Sequence, residues 1–323
     1  MTFFTDPMTE ARASDSARRP TVSVIIPTRN RAALLARSID SVLAQTFGDF
    51  ELIVVNDAST DHTRELLAGI ADPRLRVIHR EHNKGAAAAR NAGIAIAQGE
   101  FLAFQDDDDY WLAQKLEKQV EALRAAGPET GWCVGGYIVL EGSTCYYAGG
   151  ERYFRNMDYR KGLGETAPDW SLVATPNWLL RRSVLERAGL FDERMRSWDD
   201  WELGLRLDQV TRRIHVDQPL FVQHRGGGMM RAELARASDM RLIMDKHGAT
   251  WARLRKVRAA HWYIIGRAES MYQAAPAGRA ELWRAVRFDP FRAIAWAALG
   301  MSYLGADFTR RWTERVRRFK HAG

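Results

Sequence analysis

Four consecutive aspartates, Asp106 to Asp109, stand one residue after an apolar run that ends at Phe104. Carboxylates this close together repel one another, so some must take up protons unless a cation compensates their charge. Mg²⁺ and Mn²⁺ bind hard oxygen ligands of this kind. We therefore predict a divalent metal site at this run. The alternative is a solvent-exposed turn in which Asp109 caps the following helix.

A second acidic cluster, Asp199 and Asp200, lies much later in the chain between two tryptophans. Carboxylates at the start of a helix are favoured by the helix dipole, so a cap is the simplest interpretation. The flanking residues, Trp198 and Trp201, carry indoles that stack on sugar faces but also pack well in cores. The sequence leaves both interpretations open, a capped helix in a core and a carboxylate beside a sugar.

Three further segments carry groups that suit a nucleotide. Asn56 to Asp61 contains Asp57, which either accepts a hydrogen bond from a nucleobase or belongs to an ordinary Asx turn. Asn83 to Gly85, followed by Arg90, opens a helix whose N–H groups can meet phosphate. His224 precedes three glycines and is either a third metal ligand or a structural histidine. The absence of a G-x-G-x-x-G segment and of a P-loop lysine motif counts against NAD and P-loop chemistry.

The elements that must position these groups alternate between apolar runs and helical periodicity over residues 22–124. The apolar runs are Val22–Ile26, Phe50–Val55, Leu75–Ile78 and Phe101–Phe104. Such alternation predicts βαβ units and a parallel sheet covered by helices. Ligands of these sheets lie beyond the carboxyl ends of the strands, so the polar clusters should gather on one rim.

The alternation is lost after about Gly127. Further strands are predicted at Trp132–Leu140, Asn177–Leu180 and Leu220–His224, and from Met230 onward the pattern is helical only. Residues 1–20 are small, polar and charged without an apolar signal-peptide core, so we expect a disordered lead-in.

Composition fits a soluble globular protein, since 46% of the 323 residues are hydrophobic and 27% are charged. The formal net charge is +7, and the basic residues near the C-terminus are Arg310, Arg311, Arg315, Arg317, Arg318 and Lys320. They predict contact with an anionic membrane rather than nucleic acid, or form a solvated helix face. The longest apolar stretch, Ala293–Ala306, is shorter than the roughly 20 residues that span a membrane. Two cysteines make no disulfide framework, so a reducing cytoplasm is the expected compartment.

Taken together, these segments resemble family 2 of the glycosyltransferases, which has the GT-A fold, over roughly residues 21–228. The resemblance rests on Val24–Arg31, Glu51–Asp61, Asn83–Asn91, Phe101–Asp109 and Asp199–Arg206. It implies an α/β fold with a Rossmann-like, mostly parallel sheet flanked by helices. It also implies a nucleotide-binding half at 21–126 and an acceptor half at 127–228. The residue pattern itself predicts a helical C-terminal region at 229–323.

The resemblance further implies roles for individual residues. The nucleotide would be bound by Thr28, Asn30, Asp57, Arg90 and Asp106. Asp108 would be the main ligand of Mn²⁺ or Mg²⁺, with Asp106 beside it, and Asp200 would be the catalytic base. Three positions depart from the family pattern, namely Gln105, Asp107 and Asp199. Asp107 leaves open which pair of carboxylates holds the metal.

The activity implied by the resemblance is inverting transfer of a sugar from a nucleoside-diphosphate donor, with UDP the commonest. The acceptor would be a hydroxyl of a saccharide or lipid-linked molecule in cell-surface polysaccharide synthesis, at the inner face of the cell membrane. One alternative is a sugar-nucleotide nucleotidyltransferase, which the glycine-free segment Pro27–Asn30 disfavours. Another is a non-catalytic nucleotide-sugar-binding relative, which the presence of both acidic clusters disfavours.

Overall fold

The computed structural model describes residues 19–149, 174–225, 229–249, 252, 255–273 and 276–311. Strands and helices alternate in the first part, as the sequence predicts. The elements are β1 Val22–Thr28, α1 Ala32–Leu43, β2 Phe50–Asn56, α2 Thr63–Ala68, β3 Leu75–His79, α3 Ala86–Ile96 and β4 Phe101–Phe104. Most of the predicted lead-in, residues 1–18, lies outside the described residues.

The second part of the chain mixes short strands and helices. The elements are β5 Tyr110–Trp111, α4 Lys115–Ala125, β6 Thr130–Glu141, β7 Thr144–Ala148, a 3₁₀ turn at Thr175–Asn177, β8 Leu179–Arg181, α5 Val184–Ala188, α6 Asp199–Val210 and β9 Arg212–Arg225. The helices that follow are α7 Met229–His247, α8 Arg255–Tyr272, α9 Arg279–Phe288 and α10 Ala293–Tyr303.

The strands form one sheet in the order β3-β2-β1-β4-β8-β6-β9-β5. Strand β7 is not part of this order and pairs with β6. The first four strands in this order are parallel, whereas β8 is antiparallel to both β4 and β6. Every residue of β1 and β2 is buried, as expected for strands covered by helices on both faces. Thr28 pairs with Asn56 at the carboxyl ends, so the loops after β1 and β2 begin at the same edge.

The C-terminal helices contribute to two separate apolar clusters. Apolar residues of α7 and α8, such as Met240 and Ile265, belong to the same buried core as the strands. Helices α9 and α10 enclose a separate small cluster around Leu282 and Leu299. Trp198 and Trp201 are both buried and meet edge to face, so the core interpretation of these tryptophans holds. No helix in the described part of the chain is both long and apolar enough to cross a membrane.

Some boundaries differ from the sequence-based expectation for local reasons. Helix α2 begins only at Thr63, because Asp61 accepts hydrogen bonds from the Thr63 amide and hydroxyl and so ends the preceding loop. Strand β9 begins at Arg212 rather than Leu220, because its polar first half pairs along β6. The two-residue strand β5 and the exposed strand β7 carry no clear apolar signal.

Candidate active site

A cavity of about 370 Å³ opens at the carboxyl ends of β1, β2 and β4. It is lined by Pro27, Thr28, Arg29, Arg31, Asp57, Asn83, Gly85, Ala86, Ala89, Arg90, Asp106, Asp107 and Asp108. The loops that the sequence predicts to share one rim therefore do meet there. Five of the predicted site residues line it, namely Thr28, Asp57, Arg90, Asp106 and Asp108.

The aspartates of the acidic run point to different partners. Asp107 accepts a hydrogen bond from the Thr28 hydroxyl at 2.8 Å. One guanidinium nitrogen of Arg31 lies 2.9 Å from Asp107 and 2.7 Å from Asp108. The side chains of Asp106 and Asp108 are 30% and 33% exposed, whereas that of Asp107 is 8% exposed. Asp106 and Asp108 are thus the pair that a ligand in the cavity can reach.

Burial and mutual repulsion make this run unusually easy to protonate. Burial and the charge of Asp106 raise the pKa of Asp108 to about 6, although Arg31 opposes the rise. Burial also raises the pKa of Asp107 and, together with Asp106 and Asp108, raises that of Asp109 well above its ordinary value. Arg31 and Arg90, which is shared with Asp199, offset only part of the negative charge of the four carboxylates, which is the condition that favours a bound cation.

The donor set fits a divalent ion completed by substrate oxygens. Within the described residues, no three His, Cys, Asp or Glu side chains form a ready-made metal site. Mg²⁺ in particular is held by one or two carboxylates together with phosphate oxygens of a substrate. Asp106 and Asp108 supply two such carboxylates at the cavity wall.

His224 lies beside the acidic run at the end of β9. Its backbone N–H donates to Asp109 at 2.8 Å, and its ring meets that of Tyr110. One nitrogen of Arg37 lies 3.4 Å from His224 Nδ1 and donates to the carbonyl oxygen of Asp108. Burial and Arg37 lower the pKa of His224, which keeps the ring neutral and able to bind metal. Its role as a ligand stays a prediction, and the glycines after it lie outside the described residues.

Arg90 joins the two acidic clusters. Its Nη2 lies 2.7 Å from Asp106 Oδ1 and its Nη1 lies 2.7 Å from Asp199 Oδ2. Burial opposes the charged form, but Asp199 and Asp106 outweigh it and raise the pKa of Arg90 above its ordinary value. The guanidinium is therefore a fixed cation at the cavity wall, and it brings the start of α6 to the end of β4.

The two carboxylates at the start of α6 have different surroundings. Asp199 is buried in its ion pair with Arg90. Asp200 is half-buried, and its Oδ1 accepts the N–H of Trp201 at 2.6 Å. Burial and the charge of Asp199 raise the pKa of Asp200 well above its ordinary value, against the opposing charge of Arg90. Asp200 is accordingly a carboxylate with a raised pKa, whereas Asp199 anchors the start of α6 to Arg90.

Asp57 and Asn30 are engaged by the protein itself. Asp57 Oδ2 accepts the N–H of Gly85 at 2.9 Å, and the Arg80 guanidinium lies 3.0 Å from Asp57 Oδ1. Asn30 has a left-handed backbone with φ of 54°, and its Oδ1 accepts the N–H of Thr60 at 2.7 Å. Asn30 thus ties the first loop to the second and is not among the residues that line the cavity.

Residues 23–189, just over half of the 323-residue chain, match the family model described as Glycosyl transferase family 2. The chain belongs to this family. A similar protein is the UDP-Glc:alpha-D-GlcNAc-diphosphoundecaprenol beta-1,3-glucosyltransferase WfgD of Escherichia coli. It is 43% identical over 102 residues, which cover 32% of this chain and 40% of that protein. The chain therefore spans less than half the length of this relative.

Solved structures of low sequence identity share the fold. One is S. aureus TarS 1–349 in complex with UDP-GlcNAc, with a TM-score of 0.58, 16% identity, and coverage of 86% of this chain and 91% of that one. Another is the mannosyltransferase PcManGT from Pyrobaculum calidifontis in complex with GDP-Man and Mn²⁺. Its TM-score is 0.55 with 21% identity, and the match covers 92% of this chain and 88% of that one. The GT-A fold implied by the sequence is thereby confirmed.

Two features of this family member were not evident from its sequence. Arg31 stands inside a segment quoted for the resemblance, but its ion pairs with Asp107 and Asp108 depend on tertiary structure. Gln105, which departs from the family pattern, is fully buried at the end of β4. Neither atom of its amide has a hydrogen-bond partner among the described residues. A basic residue close after the first strand is the only sequence signal that pointed towards Arg31.

We predict that Arg90→Ala destabilises the protein by about 3–5 kcal/mol, because it leaves buried carboxylates without their cation. Arg90→Lys should recover only part of this loss, since one ammonium cannot bind two carboxylates in a fork. Urea denaturation gives the free energies of unfolding. Arg310→Ala, which removes an exposed pair with Asp307, is the control and should cost about 1 kcal/mol or less. Equal losses for Arg90→Ala and Arg310→Ala would contradict the bridging role.

Proposed function

We propose that this chain is an inverting glycosyltransferase that moves a sugar from a nucleoside-diphosphate donor, a UDP-sugar, to a hydroxyl group of an acceptor. The observation that carries the proposal is the Arg90 bridge, which holds the Asp199–Asp200 pair against a strand-end cavity lined by Asp106 and Asp108. Such a transfer requires two parts. One is a cavity that receives the nucleotide, and the other is a basic carboxylate beside that cavity.

The donor assignment is supported by the cavity and by the relatives. Backbone loops and polar side chains at the carboxyl ends of parallel strands are where nucleotides bind in open α/β sheets. The name of the E. coli relative specifies UDP-Glc, and the TarS structure contains UDP-GlcNAc. PcManGT was solved with GDP-Man, which shows that the fold also accommodates another base.

The displacement needs one base and no covalent intermediate. Asp200 takes the proton of the acceptor hydroxyl as its oxygen attacks the anomeric carbon, and a raised pKa makes this carboxylate a stronger base. Attack on the face opposite the diphosphate inverts the anomeric centre. Mn²⁺ or Mg²⁺, when bound by Asp108 and Asp106 with His224 as a third candidate, supplies charge neutralisation to the leaving diphosphate. Arg31 and Arg90 contribute positive charge at the same wall.

The alternatives make different predictions for a turnover assay. The family match is to glycosyltransferases, which sets the nucleotidyltransferase interpretation aside. A non-catalytic relative would bind the donor without releasing nucleoside diphosphate. Incubation of a UDP-sugar with Mn²⁺ and a candidate acceptor, followed by measurement of released UDP, tests the proposal. Membrane lipids extracted from the source cells can serve as the acceptor pool in this assay. Binding of the UDP-sugar without release of UDP in their presence would favour the non-catalytic alternative.

We predict that Asp108→Asn removes the effect of Mn²⁺ on donor affinity, because a hard oxygen ligand is lost. Asp107→Asn should keep most of this effect, since the Asp107 carboxylate already contacts Thr28 and Arg31. Titration calorimetry with UDP-sugar, with and without Mn²⁺, measures both. Asp40→Asn, an exposed change on α1, is the control. A Mn²⁺ effect of wild-type size in Asp108→Asn would show that the ligand assignment is wrong.

We predict that Asp200→Asn lowers kcat on the order of 10² to 10⁴-fold while donor affinity is kept, which is the usual contribution of a positioned general base. In the wild type, kcat should fall as pH drops through the raised pKa of Asp200, well above the ordinary aspartate range. Asp199→Asn removes the charge that raises this pKa and frees Arg90 to lower it further. In Asp199→Asn, the fall of kcat at acid pH should therefore occur at a lower pH than in the wild type.

The paired pH–rate profiles of wild type and Asp199→Asn, with the same donor and acceptor, check this assignment. A larger loss of kcat in Asp199→Asn than in Asp200→Asn would exchange the two roles. Normal turnover in both variants would remove the cluster from the mechanism.

We also propose that the C-terminal helices rest on an anionic membrane at its inner face, where a lipid-linked acceptor would be found. Helix α10 is apolar on both sides, but among its apolar side chains only Ala295, Ala298 and Leu299 are buried, in the cluster shared with α9. The large apolar side chains exposed around it are Phe291, Ile294, Trp296, Tyr303 and Leu304. Phe291 is 96% exposed in the turn before the helix. Apolar faces of this kind with basic neighbours are typical of interfacial helices.

Basic residues surround this apolar face. Arg284 and Arg287 of α9 and Arg311 after α10 are exposed. The sequence continues with more basic residues, Arg315, Arg317, Arg318 and Lys320, which lie outside the described residues. Each basic residue near an anionic surface contributes about 1 kcal/mol of attraction, and salt screens it.

We predict that the protein co-sediments with vesicles containing anionic lipid at low salt, and less so at high salt. Phe291→Ser combined with Trp296→Ser should reduce binding, since it removes apolar side chains that enter the interface. Leu190→Ser, which changes an exposed leucine away from α10, is the control and should bind like wild type. Indifference of the wild-type protein to anionic lipid at low salt would rule out this part of the proposal.

A further inference from the structure

A buried carboxylate of the C-terminal helices lies directly behind the start of α6. Asp239 of α7 is 1% exposed. Its Oδ2 accepts backbone N–H groups at 3.0 Å from Arg196, 2.7 Å from Ser197 and 3.0 Å from Trp198. Trp198 is the residue that precedes the first turn of α6. The carboxylate therefore holds the last segment of chain before Asp199.

Three consecutive N–H groups directed at one anion form a backbone nest, a strong anion-binding arrangement. The N-cap residue of α6, Trp198, makes no side-chain capping hydrogen bond. Asp239 supplies the acceptor from another element instead, and its negative charge lies near the positive end of the α6 dipole. The position at which α6 begins is thus set by a residue of α7.

Further contacts join the first turn of α6 to the C-terminal helices α7 and α8. Glu202 of α6 accepts hydrogen bonds from His247 at 2.9 Å and lies 2.7 Å from Lys246 Nζ. Burial opposes the charge of Glu202, but hydrogen bonds from His247, Arg206 and Lys246 lower its pKa to about 2. The ring of Trp201 also meets His261 of α8 edge to face. Of these contacts, only the one made by Asp239 holds the chain that precedes Asp199.

We propose that Asp239 is a positioning residue of the sugar-transfer reaction, which fixes the start of α6 and thereby sets where Asp200 stands relative to the donor cavity. The inference rests on the proposed function, in which Asp200 is the base. Asp239 lies far from the acidic run in sequence and contacts none of the cavity-lining residues through the hydrogen bonds of its carboxylate. Its effect should therefore appear in the chemical step and not in donor binding.

The test is Asp239→Asn, which keeps the size of the side chain but removes the negative charge and places an NH2 group against the N–H of Arg196, which reaches both carboxylate oxygens. We expect kcat to fall on the order of 10²-fold, the scale of a misplaced catalytic group. The donor KM, and the Kd from calorimetry, should stay within about twofold of wild type, which is the pattern of an interaction made only in the transition state. Turnover is expressed per donor-binding site, so that unfolded protein does not count.

Two variants separate positioning from simple stabilisation of α7. Glu233→Gln breaks the ion pair of α7 with Arg267 of α8 at 2.8 Å, away from residues 196–198. It should lower Tm but leave kcat per donor-binding site unchanged. Asp239→Glu keeps a carboxylate in the nest, so its kcat should lie between those of wild type and Asp239→Asn.

The outcomes distinguish this inference from the proposed function. Wild-type kcat in Asp239→Asn, or a loss of kcat in Glu233→Gln that matches the loss in Asp239→Asn, would overturn the positioning role. Loss of donor binding in both Asp239→Asn and Asp239→Glu would overturn it as well. Full turnover in Asp200→Asn would instead count against the proposed base, whatever Asp239→Asn shows.

Discussion

The buried guanidinium of Arg90 is the interaction on which the candidate site depends, because it is the cation shared by carboxylates from two distant parts of the chain. Its place is set by close packing of α3 on β1. A Cβ added at Gly93 would lie 2.6 Å from the Ile25 side chain, so the helix could not approach as closely with a larger residue. The neighbouring Asn91 exchanges hydrogen bonds with the backbone of Phe191. Two successive residues of α3 therefore contact this region, since Arg90 binds Asp199 of α6 and Asn91 binds Phe191 in the chain that leads to α6.

The acidic run shows how stability and function oppose each other at such a site. Carboxylates whose pKa is raised by burial are less stable when charged in the folded protein than in the unfolded chain. Their unfavourable contribution is absent at low pH and appears as pH rises through the folded pKa, which for Asp108 is about 6. At neutral pH the fold tolerates this charge through Arg31 and Thr28. Strain of this sort persists where a ligand relieves it, which agrees with the proposed binding of a cation and a diphosphate at this rim.

The parallel half of the fold follows from the sequence, whereas the other half does not. Fully apolar strands such as Val22–Thr28 alternate with amphipathic helices, and the alternation itself dictates a shared rim. Strand β9 contains Arg212 and other polar residues because it is only half-covered, and pairing with β6 defines it more than its own composition does. The same reason limits the site. Asp106 and Asp108 were predictable from their place after a strand, but the contacts of Arg31 and Asp239 join residues that only the tertiary fold brings together.

The contacts of the candidate site fall into two groups. One group joins loops at the strand ends, and the other joins the start of α6 to distant parts of the chain. The strand-end rim is held together within its own layer, since Asp57 accepts hydrogen bonds from the backbone N–H groups of Lys84 and Gly85. The start of α6 is held from outside that layer, by Arg90 on one side and by Asp239 on the other. The matched family region ends at residue 189, before both Asp200 and α7. Buried packing and hydrogen bonds join the C-terminal helices to the segment that carries Asp199 and Asp200. On the proposed role of Asp239, a change in α7 would move the base without disturbing the strand-end rim.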